Sequence, residues 1–307
     1  MSVRLVVILS ESWTMTPPHD LPALVRLAVD AEQAGADAVM VSEHVVLGAS
    51  ANEHGEPLNP RDYALPGNQD PATPWPSSLV LLAAIAGATT RIRLAASAVI
   101  APLRHPLLLA RELGTLDLVS NGRLVVQPTV SWHRDEYDAL GVPFTKRGEL
   151  LDEHLAAWET LWRDTPATFE GCHYAFRDVF FEPKAFRPEG PRLWFGGETV
   201  HPRLLRRLVR YGHGFNPLGR PTDDDLALLD EALREAGRDP AELERIGGTR
   251  GLFPDADRPA DLDTALEQVP AQVERGFRTI CLKPSQFTDD PAEVGEIVHR
   301  AVERLAG

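Results

Sequence analysis

Short apolar runs rich in β-branched residues alternate with helical patterns eight times along this chain, the signature of a parallel sheet joined by crossover helices. The predicted strands are Val3–Leu9, Asp37–Ser42, Ile92–Ile100, Arg123–Val130, Arg192–Gly196, His213–Asn216, Arg245–Leu252 and Arg278–Lys283. The helices between them span Asp20–Ala34, Ser77–Ala88, Pro106–Val119, Arg147–Arg163, Pro202–Tyr211, Asp223–Ala236, Asp261–Arg275 and Pro291–Leu305. Eight such units closing on themselves make a single (β/α)8 TIM-like barrel domain over residues 1–307; an open, doubly wound sheet is the alternative. A barrel of this kind needs roughly 250 residues, so 307 leave room for insertions. The excess falls in three places: His44–Pro76 after the second strand, Ser131–Lys146 after the fourth, and Asp164–Pro191 before the fifth. The first two begin at strand C-termini, where loops lie over a barrel mouth; the third, with FEGCHYAFRDVFFEP, has room for a short hairpin.

Local chemistry supports this phasing. Gly35 follows the first helix in the position that favours a left-handed residue, and Gly141, Gly212, Gly237 and Gly276 punctuate similar ends. The strands IRLAASAVI and RTICLK are continuous apolar runs, as expected when helices cover the outside and other strands the inside.

With 45 acidic against 31 basic residues the formal charge is −14, which argues against nucleic acid or an anionic membrane as the main partner and leaves a small-molecule substrate. Cys172 and Cys281 follow no metal or redox spacing and read as reduced and incidental. Met1 leads directly into VRLVVILS, and no apolar run reaches the roughly 18 residues of a membrane span, so a cytoplasmic address is expected.

Polar residues at strand C-termini are the candidates for chemistry. The run Arg91–Leu124 reads as strand, turn, helix and strand, with Arg104 and His105 in the turn between Pro102 and Pro106. Their guanidinium and imidazole either meet an anionic or carbonyl group at the mouth or brace the turn itself. His44, ending the second strand in Ser42-Glu43-His44, either hydrogen-bonds a ligand and moves protons or is satisfied by a neighbouring carbonyl. In Leu193–Thr199 the Gly196-Gly197 pair lets the backbone approach an anion, Thr199 adds a hydroxyl, and a helix begins near Pro202; the alternative is a tight turn without a ligand. Glu11 is either a base facing the mouth or a solvated side chain. The segment HRDE, His133 to Glu136, has the look of metal-ligand spacing but reads better as a helix start with favourable acids, so no metal site is expected. The chain has no Walker loop, no GxGxxG after its first strand, no GxSxG elbow and no HExxH.

SEHVVLG at Ser42–Gly48, TRIRLAASAVIAPLRHPLLLARELGTLDLVSNGRL at Thr90–Leu124, WHRDEYxALGVPFxxR at Trp132–Arg147, LLDEHL at Leu150–Leu155 and PRLWFGG at Pro191–Gly197 occur in order along nearly the whole chain. Together they resemble the bacterial luciferase-like monooxygenase superfamily, and within it the deazaflavin (coenzyme F420)-dependent oxidoreductase branch. The resemblance implies a barrel that binds F420 or FMN at its C-terminal mouth. It implies His44 as the catalytic histidine near the reactive ring, and Gly196, Gly197 and Thr199 around the cofactor phosphate. It also implies a non-proline cis peptide at Ser97-Ala98 behind the ring, and a homodimer. Trp13, Trp75 and Trp132 on the mouth loops suit an apolar or ring-shaped substrate.

The chain departs from that pattern after the fourth strand. Where relatives often carry GVGVGW it has Gln127-Pro128-Thr129-Val130-Ser131-Trp132. Gln127 and Thr129 then either hydrogen-bond the ring edge or substrate, or partly fill the pocket. The expected function is hydride transfer between F420 and a small organic substrate, with an FMN-dependent monooxygenase as the alternative. Two rivals come from other classes: a cofactor-free barrel hydrolase using Glu11, Glu43 or Asp135, and a non-catalytic binding protein.

Overall fold

A computed structural model describes residues 3–197, 199–217 and 219–306. Among the described residues ten strands form: β1 (Arg4–Ile8), β2 (Ala38–Val41), β3 (Arg93–Ile100), β4 (Leu124–Thr129), β5 (Ala167–Glu170), β6 (Ala175–Val179), β7 (Arg192–Phe195), β8 (Gly214–Phe215), β9 (Glu244–Gly248) and β10 (Thr279–Leu282). Eight of them close into a parallel barrel in the order β1-β10-β9-β8-β7-β4-β3-β2, so the doubly wound alternative is excluded. The remaining pair, β5 and β6, is the antiparallel hairpin expected between residues 164 and 191.

Alternation along the strands separates two cores. Val6, Ala38, Met40, Ala95, Val125, Trp194, Ile246 and Cys281 point inward and fill the barrel. Trp194 is the bulkiest of these, and it fits because β8 offers Gly214, where a Cβ would stand 2.3 Å from the indole. The alternate residues, such as Leu5, Val7, Leu94 and Val126, face outward onto the helices. Helix Pro106–Val119 answers them with Leu109, Leu113 and Leu116, one stripe of its surface; burying each contributes roughly 1.5–3 kcal/mol.

Opposite the mouth, a polar network closes the base. Glu244 accepts from Arg93, Arg4 and the Thr279 hydroxyl, and Arg93 also pairs with Asp37. These bonds hold Glu244 below the usual carboxylate range although burial alone would raise it.

Three elements differ from expectation. The helix predicted over Asp261–Arg275 is two short helices, Leu262–Leu266 and Val269–Glu274. Pro270 explains the break: it has no N–H to donate and its ring would clash with the carbonyl of Leu266. The last helix starts at Val294 after a tight turn at Pro291–Glu293. Inside the insertion after β4 lies a helix, Arg134–Ala139, that places one buried carboxylate at the mouth.

Candidate active site

At the rim beyond β2, Glu43 and His44 take opposite directions and do different work. Glu43 is buried and ties four segments together. Its carboxylate accepts from the Ile100 N–H at 2.9 Å, the Ser78 hydroxyl at 2.8 Å, and both terminal nitrogens of Arg104 at 2.8 and 3.1 Å. Arg104 therefore braces the rim. His105 caps the following helix, its Nδ1 accepting from the Leu107 N–H.

His44 is held by a carboxylate rather than a carbonyl. Its Nδ1 donates to Glu136 Oε1 at 2.9 Å. Glu136 also accepts from the Val45 N–H at 2.8 Å and the Ser131 hydroxyl at 3.0 Å. Its side chain has 0% exposure. Burial works to raise its pKa, but the bonds from His44, Val45 and Ser131 outweigh that and hold the carboxyl below its ordinary range. An ionised Glu136 fixes the Nδ1–H tautomer of His44 and leaves Nε2 outside that bond. Aromatic rings box the imidazole: Trp75 stands edge-on at 5.0 Å and Trp132 at 5.8 Å.

His133, next to Trp132, plays a supporting part. Its Nε2 accepts the Gly48 N–H at 2.7 Å, so Nδ1 carries the proton, and burial pushes its pKa below the usual value. Asp135 accepts from Ser50 and is partly exposed. Both side chains staple the insertion after β2 to the one after β4.

A second cluster sits inside the barrel top. Ser97 Oγ and Asn216 Nδ2 both donate to Gln127 Oε1 at 2.8 Å, joining β3, β4 and the end of β8. Gln127 is 3% exposed and fills space just under the mouth. The Ser97-Ala98 peptide is cis. Gly196 belongs to the same cluster: a Cβ there would stand 1.8 Å from the Asn216 carbonyl, so only glycine allows β7 and β8 to approach so closely. Gly197 is half-buried beside it, whereas Thr199 is exposed, and the intervening Glu198 lies outside the described residues. The helix start at Pro202 is capped by His201, whose Nδ1 accepts the Leu204 N–H at 3.2 Å. Burial lowers the His201 pKa, and Arg207, Arg203 and Arg206 lower it further, so this corner is electropositive. Thr129 Oγ1 receives the Ser131 N–H in the turn beyond β4.

Trp13 and Trp75 line one narrow cleft with Ser42 and Leu81, and neither indole N–H has a partner among the described residues. Across the mouth, Lys283 at the end of β10 is 1% exposed, with its ammonium 3.9 Å from Glu11. Tyr63 lies 5.4 Å away with its ring towards the ammonium, and Nζ has no hydrogen-bond partner among the described residues. Burial lowers the lysine pKa. Tyr63 belongs to a strap, the insertion after β2, tied to the loops beyond β9 and β10. Asn59 donates to the carbonyls of Asp255 and Arg258, Arg61 pairs with Asp289, and Arg250 pairs with Asp62.

The structure thus joins His44 to Trp75 and Trp132, Ser97 to Gln127 and Gly196, and Trp13 to Trp75; Thr129 and Thr199 stand apart. Sequence reading missed Glu136, Asn216 and Lys283. Asn216 and Lys283 carried a usable signal, since each is the last residue of a predicted strand. Among the described residues no group of three or more His, Cys, Asp or Glu side chains could hold a metal ion, and no helix is long and apolar enough to cross a membrane.

A parallel barrel with an oriented histidine, aromatic walls and an electropositive corner at its C-terminal rim has the arrangement in which enzymes of this fold place their sites. The chain belongs to the luciferase-like monooxygenase family, whose model matches residues 4–269. It is 28% identical over 260 residues to a phthiodiolone/phenolphthiodiolone dimycocerosates ketoreductase of Mycobacterium tuberculosis, covering 82% of this chain and 66% of that one. Its fold matches an F420-dependent secondary alcohol dehydrogenase solved with an F420-acetone adduct, at a TM-score of 0.73 and 16% identity over 100% of both chains. It matches equally the FMN-bound oxygenating constituent of 3,6-diketocamphane monooxygenase of Pseudomonas putida, at a TM-score of 0.72 and 17% identity, covering 100% of this chain and 98% of that one. The family consists of oxidoreductases and monooxygenases, with F420 and FMN both in use among these neighbours.

Proposed function

We propose that this protein is an F420-dependent oxidoreductase that transfers hydride between the deazaflavin and a small carbonyl or alcohol substrate. The observation that carries this reading is the His44–Glu136 pair. Interconverting a ketone and an alcohol moves a hydride and a proton; the bound deazaflavin supplies or accepts the hydride. The proton needs a protein group, and an imidazole with Nδ1 committed to a buried carboxylate and Nε2 available is suited to it. In the reduction, the imidazolium form of His44 would give its Nε2 proton to the substrate oxygen; in the oxidation the neutral ring, its Nδ1–H held by Glu136, would take that proton at Nε2, and Glu136 would keep the ring's orientation throughout. An FMN monooxygenase is the second reading, favoured by the fold match to the camphane enzyme.

The residues present fit such a cofactor. The Trp13 and Trp75 indole N–H groups have no partner among the described residues, Gly197 is half-buried with no side chain to cover its backbone, and the positive corner near His201 suits a phosphate. In this reading Ser97 and Ala98 form the wall behind the ring, Gln127 and Thr129 shape its edge, and Gly196, Gly197 and Thr199 meet the phosphate. Trp13, Trp75 and Trp132 contact the substrate. The hydrolase rival loses ground because Glu43 is committed to Arg104 and Asp135 to Ser50.

The same reading holds residues 1–307 as one domain at a cytoplasmic address, which accords with two unpaired cysteines. It also takes the chain as a homodimer. Helix Ser78–Ala88 is apolar nearly all round; Val80 on it is 70% exposed, and Leu108 on the helix packed beside it is 65% exposed. Titrating the purified protein with F420 and with FMN, followed by fluorescence, is the decisive experiment. Tight F420 binding is expected; binding of FMN alone would reverse the cofactor assignment, and binding of neither would overturn the enzyme reading.

A further inference from the structure

At the base of the barrel, far from His44, lies a cavity of about 260 Å³ lined by Arg4, Arg93, Arg123, Arg187, Arg192 and the single carboxylate of Asp37. Five guanidiniums around one cavity are out of keeping with a chain of net charge −14. Two of them have counter-charges: Arg93 pairs with Asp37 and Glu244, and Arg4 with Glu244. The other three do not pair with a carboxylate within 4.0 Å among the described residues. Arg123 donates to the carbonyls of Ala86, Thr89, Ile92 and Ser120, which satisfies its N–H groups without cancelling its charge. Arg187 has a buried Nη1 with no partner among the described residues, and Asp117 acts on it only from beyond ion-pair distance. Arg192, at the start of β7, is exposed. His213, whose Nδ1 accepts the Leu193 N–H, registers the same field: burial lowers its pKa, and Arg192, Arg238 and Arg187 lower it further against an opposing pull from Glu189.

A buried guanidinium nitrogen without an acceptor is an unusual arrangement that an anion would resolve. We propose that this basal cavity binds a compact multivalent oxyanion of the pyrophosphate class, held by Arg187 and Arg192 with the charge of Arg123 behind them. Guanidiniums match phosphate oxygens in bidentate geometry, which makes this set a better phosphate receptor than lysines would be. The cavity lies just below the roughly 300–1,000 Å³ of sites for drug-sized ligands, so it suits a small anion. The base of such barrels usually serves stability, and a ligand there would tie β3, β4 and β7 together without touching the chemistry.

The test is calorimetric titration of the full chain with inorganic pyrophosphate at low ionic strength, with orthophosphate and citrate as parallel arms. One-site binding, tightest for pyrophosphate and weakening with salt, is expected, with a rise in Tm as ligand is added. Arg187→Gln and Arg192→Gln should each weaken it by roughly tenfold or more. The titration midpoint of His213, followed by NMR, should rise on binding, because a nearby anion stabilises the imidazolium. Absence of binding at millimolar pyrophosphate would overturn the proposal, as would unchanged affinity in the folded double variant. Binding that is lost in Thr199→Val but kept in the double variant would also overturn it, by locating the anion at the mouth instead.

Discussion

Glu136 and Lys283 are buried ionisable side chains on opposite sides of one barrel mouth, yet their surroundings differ completely. Glu136 has three donors and a depressed pKa; Lys283 has one carboxylate at 3.9 Å, no hydrogen-bond partner among the described residues, and a pKa lowered by burial. The first arrangement stabilises a charge and so fixes a geometry. The second destabilises a charge and leaves it responsive to whatever enters the mouth.

Mutations can break the contrast on either side. The largest effect is expected from His44→Ala, which removes the proposed proton donor and should lower turnover by about 10²–10⁴-fold in steady-state assays against a panel of ketones. Glu136→Gln keeps the shape but loosens His44, and a fall of about 10–100-fold, mostly in kcat, is expected from misplacing the imidazole. Full activity in both variants would show that the pair is structural only.

Stability against pH separates the two sides further. Because the Glu136 pKa is depressed in the fold, its contribution is complete above the unfolded value of about 4.3 and is lost as pH falls through the folded value. Denaturation of Glu136→Gln should therefore show a flatter acid limb than the parent. The lysine has the opposite consequence. With its folded pKa below the unfolded value of about 10.4, the unfolded chain binds the extra proton, and stability rises with pH between the two. Lys283→Met should abolish that rise and raise stability at neutral pH in denaturant titrations, because it removes an ammonium that burial disfavours. A destabilised Lys283→Met would mean that Glu11 and Tyr63 compensate the ammonium after all.

The smallest effect concerns a buried thiol beside this region. Burial pushes Cys281 up to about 12, while Cys172 is exposed. A thiol reagent at neutral pH should modify Cys172 rapidly in the native protein and Cys281 only after denaturant is added.

The barrel was legible because parallel strands buried on both faces leave continuous apolar runs, and IRLAASAVI and RTICLK carry that mark without help from distant residues. His44 was legible as a polar residue ending such a run. Its partner was not: Glu136 lies 92 residues away, in a segment whose acids read as an ordinary helix start. Gln127 stood out as a departure from a glycine-rich pattern, but its embrace by Ser97 and Asn216 depends on which strands become neighbours on closure. The split of Asp261–Arg275 shows a local signal, Pro270, outvoted by the surrounding helical periodicity.

The strap across the mouth has a consequence in time. Arg61 and its partner Asp289 are 228 residues apart, so on a ribosome adding about 5–20 residues per second the strap waits roughly 10–45 s for its anchor to be made. Every barrel strand is synthesised before that anchor. The mouth is thus tied shut only after all eight barrel strands exist, and a nascent chain carries His44 long before the strap over it has an anchor.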